Sequence, residues 1–219
     1  MTASMQGKTV LITGANSGIG KETAVALARA GATVVFTSRD PKKGEQAAAD
    51  IRRRSGTDVT LMPLDLASFT SIRALAETFL QRYEKLHLLI NNAGLVLSER
   101  TETEQGFETT FGVNHLGHFL LTKLLLDRIK ASAPARIVNV ASGAHRRVGG
   151  GLDFDDLQST NGYSAFRVYG RSKLANIYFT RELARRLQGT GVTVNALHPG
   201  VVATGFARDG DAKPPFSWL

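Results

Sequence analysis

Lys8-Thr9-Val10-Leu11-Ile12-Thr13-Gly14-Ala15-Asn16-Ser17-Gly18-Ile19-Gly20 decides how the rest of the chain is read. Lys8 to Thr13 is the short apolar run of a buried strand, and Gly14 to Gly20 is a glycine-rich turn. Ile19 to Ala30 is alanine-rich with helical spacing, and Gly31 marks its end. Strand, glycine turn and helix in that order bring backbone N–H groups and the positive end of a helix dipole to one point, a setting for a phosphate. The spacing is Gly-x-x-x-Gly-x-Gly, not Gly-x-Gly-x-x-Gly, because Thr23 takes the third place. Gly20-Lys21 resembles the end of a triphosphatase P-loop. The spacing there is off by one residue, and Glu22 stands where a magnesium-binding Ser or Thr is needed.

Outward from this stretch, strand and helix patterns alternate. Thr33 to Thr37 is a strand ending at Ser38-Arg39-Asp40, and Pro41 opens a helix to about Arg54. A third strand, Val59 to Met62, stops at Leu64-Asp65, and Ser68 caps a helix to about Tyr83. Leu86 to Ile90 is a fourth strand, closed by Asn91-Asn92-Ala93-Gly94. After a polar loop to about Glu104, one long helix runs to about Ala131 with Gly112, Asn114 and Gly117 inside it. Arg136 to Ala141 is a fifth strand ending at Ser142, and a Gly-rich loop runs from Gly143 to about Phe166. The helix from Tyr169, or slightly before, reaches about Leu187, and Val192 to Leu197 is the sixth strand, cut by His198-Pro199-Gly200. Six strands and five helices in alternation predict an α/β fold. We expect one doubly wound parallel sheet of Rossmann type, a single domain over residues 1–219 with its core at 8–204. Ligands of such sheets bind outside the carboxyl ends of the strands.

Composition narrows the classes. The 219 residues suit one domain, and 42% hydrophobic with 21% charged residues is ordinary for a globular protein. Cysteine is absent, which removes disulfides, thiol nucleophiles and thiolate metal sites and fits a reducing, cytoplasmic compartment. The net charge of +8 admits a nucleic acid, an acidic membrane surface or a small anion as partner. The basic residues are spread over Lys42-Lys43, Arg52-Arg53-Arg54, Arg146-Arg147 and Arg185-Arg186 without an aromatic-interleaved stripe, so no nucleic acid is expected. Met1 to Lys8 has no apolar leader, and no apolar run approaches a bilayer-spanning length. That leaves peripheral membrane contact open. His115 and His118 stand three apart with no nearby carboxylate, so no metal is expected. No serine lies in Gly-x-Ser-x-Gly, so a hydrolase elbow is unsupported.

Two further features carry chemistry. Tyr169 and Lys173 stand four apart, on one face of a helix. Alone the pair is ordinary, but an ammonium held near a phenol favours the phenolate and makes a proton donor and acceptor for an alcohol or carbonyl. Arg39, with Ser38, ends the second strand, where an acid would bind the ribose 2′-hydroxyl of NAD and an Arg accommodates the 2′-phosphate of NADP. Asp40, one residue on, leaves that choice open.

Thr13 to Gly20, Asp65, Asn91-Asn92-Ala93-Gly94, Asn114, Ser142, Tyr169-x-x-x-Lys173 and Pro199-Gly200 together resemble the short-chain dehydrogenase/reductase family. Asn114-His115-Leu116-Gly117-His118-Phe119, Ser172-Lys173-Leu174-Ala175-Asn176 and the 27-residue gap from Ser142 to Tyr169 resemble its retinol dehydrogenase-like branch. The resemblance implies that Tyr169 is the general acid-base. Lys173 would bind the nicotinamide ribose and lower the tyrosine pKa, and Ser142 would orient the substrate oxygen. Asn114 would kink its helix and hold a water that relays protons to Lys173. The cofactor would lie on Gly14, Asn16, Ser17, Gly18, Ile19 and Gly20, with Ser38 and Arg39 at the 2′-phosphate and with Tyr169 and Lys173 also in contact with it. Asp65 and Leu66 would border the adenine; Asn92, Ala93 and Gly94 its ribose; Pro199, Val202 and Thr204 the nicotinamide and pyrophosphate.

Relatives of this kind continue past Thr204 with a substrate-covering helix and a seventh strand. This sequence closes at Trp218-Leu219 and reads as a truncated or alternatively ended product. The implied activity is NADP-dependent interconversion of an alcohol and a carbonyl on a bulky apolar substrate such as a retinoid, sterol or lipid aldehyde. Two other readings stay open: a non-catalytic NADP-binding protein and a basic nucleic-acid binder. A homo-oligomer is compatible with all of them.

Overall fold

The computed structural model describes residues 4–200. Its strands are β1 (Thr9–Ile12), β2 (Thr33–Ser38), β3 (Val59–Pro63), β4 (Leu88–Asn91), β5 (Ala135–Val140) and β6 (Val192–Leu197). They form one sheet in the order β3-β2-β1-β4-β5-β6. Every pairing is parallel, as expected. From β1 the chain runs outward to β3, then crosses back to lay β4 on the other side of β1. That reversal opens a crevice at the carboxyl ends of β1 and β4.

Period-two alternation along the strands sends side chains to both faces, and helices cover both. On one face Val10, Ile12, Val34 and Phe36 pack against α1 (Gly18–Arg29) and α2 (Pro41–Ser55) through Ala24, Ala28, Ala48 and Ile51. On the other, Leu11, Leu89 and Ile137 meet α3 (Phe69–Arg82), α5 (His118–Ala131) and α6 (Ala165–Arg186) through Ile72, Phe79, Leu121, Leu125 and Leu183. Helix starts follow their caps. Asp40 Oδ1 accepts from Lys42 N at 2.8 Å and Lys43 N at 3.1 Å ahead of Pro41, and Ser68 accepts from Ser71 N.

The expected long helix differs. It begins with a single turn, α4 (Thr109–Phe111), and continues as a π-helix, Gly112–Gly117, before α5. The wider turn has a cause in side chains from elsewhere. The carbonyl of Asn114 accepts from Asn176 Nδ2 at 3.0 Å and faces His118 Nδ1 at 3.1 Å, so it is held by side chains on α5 and α6. Gly117 ends this segment flush against the chain after β3; a Cβ there would lie 2.6 Å from the carbonyl oxygen of Leu66.

A buried line of polar groups crosses the sheet. Asn91 Nδ2 donates to Thr122 Oγ1 on α5 at 3.0 Å and to Asn139 Oδ1 at 2.8 Å, and Asn139 Nδ2 donates to Thr180 Oγ1 on α6 at 2.8 Å. Among the described residues, no helix is long and apolar enough to cross a membrane.

Candidate functional site

The carboxyl ends of the strands open into one cleft of about 770 Å³. That lies within the usual range of about 300–1,000 Å³ for cofactor and ligand sites. The glycine turn forms its floor. Gly14 has φ of +66°, and a Cβ there would lie 2.8 Å from Ala93 Cβ. Gly18, at the first position of α1, has φ of +53°. Asn16, Ser17, Ile19 and Gly20 line the same wall, and the Ser17 side chain makes no capping bond to α1. Asn92 Nδ2 donates to the Thr13 carbonyl at 2.8 Å and the Gly14 carbonyl at 3.3 Å, tying β4's end to the turn. A glycine cradle at a helix N-terminus could hold a pyrophosphate.

At the β2 end, Arg39 is exposed at the cleft's rim with Lys43. Ser38 Oγ donates to the Asp40 carbonyl at 2.8 Å. Asp40 was the residue that left the cofactor choice open. Its Oδ1 serves the α2 cap, so the carboxylate has a structural task. Asp65 closes the turn after β3, with Oδ1 accepting from Ala67 N at 2.9 Å; Asp65 and Leu66 both line the cleft.

The other end of the cleft gathers the chemistry. α6 presents Tyr169 and Lys173 on one face, and β5 ends at Ser142. The Tyr169 hydroxyl is hydrogen-bonded to the Ser142 side chain. Lys173 is buried, and its Nζ donates to the Val140 carbonyl at 3.0 Å, 5.5 Å from the centre of the Tyr169 ring. This corrects the expectation that Lys173 lowers the tyrosine pKa. Burial holds Tyr169 above its ordinary value of about 10, against a downward pull from the Ser142 hydrogen bond. Burial likewise brings Lys173 down to about 8.

Asn114 is fully buried in the π-helix. Its Oδ1 accepts from Leu95 N at 2.9 Å, and its Nδ2 donates to the Leu95 carbonyl at 2.9 Å and to Ser172 Oγ at 3.1 Å. A Cβ on Gly94 would stand 3.3 Å from both Asn114 Oδ1 and Lys173 Nζ, so Gly94 separates the two only by its missing side chain. The Asn114 carbonyl is taken by Asn176 and His118.

Pro199 and Gly200 line the cleft beside His198. Val202 and Thr204 lie outside the described residues.

The sequence reading missed a hub beneath these groups. The Thr13 hydroxyl accepts from Asn92 N at 2.9 Å and Ala93 N at 3.0 Å, and lies 2.9 Å from His118 Nε2. Burial lowers His118 to about 3, so the ring is neutral. With Nδ1 donating to the Asn114 carbonyl, Nε2 is the acceptor for Thr13. The signal was present as Thr13 at a strand end and His118 four residues after Asn114, but nothing in the spacing joins them. Also missed were Lys43, Val113 and Phe166 in the lining, and the pinning of the 148–164 loop. Glu108 N donates to Gln158 Oε1 at 2.8 Å, and Arg100 Nε donates to the Gln158 carbonyl at 3.0 Å. Among the described residues, no group of His, Asp or Glu could hold a metal ion.

The sequence profile of the short chain dehydrogenases matches residues 8–152 and 156–214. The chain belongs to the short chain dehydrogenase family. Retinol dehydrogenase 12 of Mus musculus is 57% identical over 204 residues, covering 93% of this chain and 64% of that protein. Retinol dehydrogenase 13 of Homo sapiens is 54% identical over 208 residues, covering 94% and 62%. The chain thus spans a little under two thirds of these relatives' length, and it sits in the retinol dehydrogenase-like branch, as its motifs implied. Among solved structures, the RhlG/NADP active-site complex of Pseudomonas aeruginosa matches with a TM-score of 0.77 at 30% identity, covering 94% of this chain and 77% of that one.

Proposed function

We propose that this short chain dehydrogenase interconverts an alcohol and a carbonyl with NADP(H), and that its substrate has a bulky apolar body. The observation that carries the proposal is the Tyr169–Ser142 hydrogen bond at the cleft end opposite Arg39. Two hydroxyls from distant elements converge there on the place one reacting oxygen would take.

A bound nicotinamide would supply the hydride that joins or leaves carbon. Everything else is done by the chain. Gly14 to Gly20 would hold the pyrophosphate, Arg39 and Ser38 the 2′-phosphate, and Asn92 to Gly94 a ribose. Ser142 orients the substrate oxygen. Tyr169 holds a proton at its hydroxyl, since burial keeps the phenol protonated at neutral pH, and delivers it to that oxygen during reduction. Lys173, lowered to about 8, sits close enough to neutrality to give and take protons from behind, with Asn114 Oδ1 alongside.

For NADP the supports are Arg39 at the cleft rim, the engagement of Asp40 as a cap and the NADP complex of the Pseudomonas protein. For an apolar substrate they are the Leu95, Val96, Val113 and Phe166 walls and the names of the retinol dehydrogenase relatives. The cysteine-free sequence speaks for a reducing compartment such as the cytoplasm. Phe119 is 45% exposed against Phe179 on the α5–α6 face, a surface suited to a second copy.

The test is a panel of aldehydes, ketones and alcohols, retinoids included, with NADP(H) and NAD(H). Turnover with at least one carbonyl is expected. NADPH binding with no turnover across the panel would instead favour the non-catalytic reading.

A further inference from the structure

Among the described residues, the cleft has cations at both ends but carboxylates at only one. Asp40 and Asp65 line it at the β2–β3 end, beside Arg39 and Lys43. At the Ser142 end the charged lining residues, among the described residues, are Lys173, Arg146 and Arg147, with no carboxylate. Lys173 is buried and bound to the Val140 carbonyl, but the two arginines are exposed. They ride on a 3-10 turn, Gly143–Arg147, that begins at the cap residue Ser142. Neither forms an ion pair among the described residues, whereas Arg171 reaches Asp153 at 3.4 Å and Arg100 reaches Glu102 at 2.8 Å. The Arg147 guanidinium lies 6.0 Å from the centre of the Phe166 ring, which holds it over the cleft wall three residues before Tyr169.

An excess of positive charge that is unpaired among the described residues, at this end of the cleft, is complementary to an anion. Two adjacent guanidinium forks match a carboxylate or a phosphate monoester. The 3-10 rise of about 2.0 Å per residue sets Arg147 roughly 10 Å from Ser142. We infer that the substrate of this site is amphipathic, with its alcohol or carbonyl at Ser142 and Tyr169, an apolar body along the walls, and an anionic end held by Arg146 and Arg147. The inference rests on the oxidoreductase reading of the same cleft and adds the class of molecule it takes.

Three ligands of one length separate the possibilities: 10-oxodecanoate, 10-oxodecyl phosphate and the uncharged methyl ester of the first. Each is measured as substrate with NADPH, and by calorimetric binding to the protein alone, in the wild type and in R146Q/R147Q. A charged ligand should exceed the ester in kcat/KM by about tenfold, with a ratio near one and a charged-ligand Kd about tenfold weaker in the double variant. Whichever anion is preferred names the end group. Equal kcat/KM for acid, phosphate and ester, or a preference that survives in R146Q/R147Q, overturns the inference and leaves the oxidoreductase reading standing. Arginine-dependent binding of the charged ligands without turnover of any supports the anionic subsite and overturns the oxidoreductase reading. If phosphatidylcholine vesicles containing phosphatidylserine capture the wild type but not R146Q/R147Q, and acid and ester are treated alike, the arginines face a membrane and the inference fails.

Discussion

His118 Nε2 lies 2.9 Å from the hydroxyl of Thr13, a residue 105 positions earlier in the chain. Through that bond the end of β1 is tied to the π-helix, because His118 Nδ1 also faces the Asn114 carbonyl. The ring can keep both bonds only while neutral. Its pKa falls from 6.5 to about 3 on burial, so between those values the unfolded chain binds the proton that the folded one refuses. Stability therefore drops as pH falls below 6.5. At pH 4.5 this one group should account for about 2–3 kcal/mol. Calorimetric melts of wild type and H118Q at pH 7 and pH 4.5 check this, the expectation being a smaller acid-induced loss in the variant.

The buried ammonium of Lys173 works in the opposite pH range. Its pKa is lowered from 10.5 to about 8 by burial, so the folded state disfavours the charge and stability rises with pH between 8 and 10.5. Compared with K173M, the wild type should gain about 3 kcal/mol across that window. Denaturant melts at pH 7.5, 9 and 10.5 give the difference directly, and parallel curves would show that the lysine is not desolvated.

Removing either hydroxyl at the Tyr169–Ser142 pair should separate chemistry from binding. Y169F deletes the proposed proton donor and should reduce kcat by about a thousandfold or more, and S142A by about a hundredfold. NADPH affinity, read by fluorescence, should change by less than about threefold in S142A, since the Ser142 hydroxyl is not assigned to the cofactor.

The proposed preference for NADP rests on Arg39. R39A should weaken NADPH binding by roughly tenfold, about 1.4 kcal/mol, while NADH affinity stays within about twofold. Equal affinity of the wild type for the two cofactors would refute the assignment.

Gly117 meets the chain after β3 with no space for a methyl group. In G117A the new Cβ would stand 2.6 Å from the Leu66 carbonyl, a backbone atom that must move. The expected cost is about 1–3 kcal/mol, a melting-temperature drop of roughly 2–9 °C. Because Leu66 lines the cleft proposed to hold the cofactor, NADPH binding should weaken as well.

Strand and helix placement was legible because both faces of the sheet are covered. Val10-Leu11-Ile12 must then be apolar throughout, and such runs stand out between glycine turns and alanine-rich helices. Tyr169, Lys173, Ser142 and Asn114 were legible as family motifs. The π-helix was not, since its cause lies in Asn176 and His118, side chains that reach the Asn114 carbonyl through space. Nor was the direction of the Tyr169 pKa, because spacing reveals that Lys173 is one turn away but not that its ammonium bonds to Val140. The role of Asp40 needed geometry for the same reason: a carboxylate at a strand end can face a ribose or cap the next helix, and only coordinates separate the two.

The Asn91–Asn139 pair, opposite one another in β4 and β5, has a meaning for assembly of the sheet. Parallel strands as apolar as these offer little to distinguish one alignment from the next. A slip by one residue would strand two amides among aliphatic side chains, with their Thr122 and Thr180 partners out of reach. The pair thus acts as a register pin for the middle of the sheet.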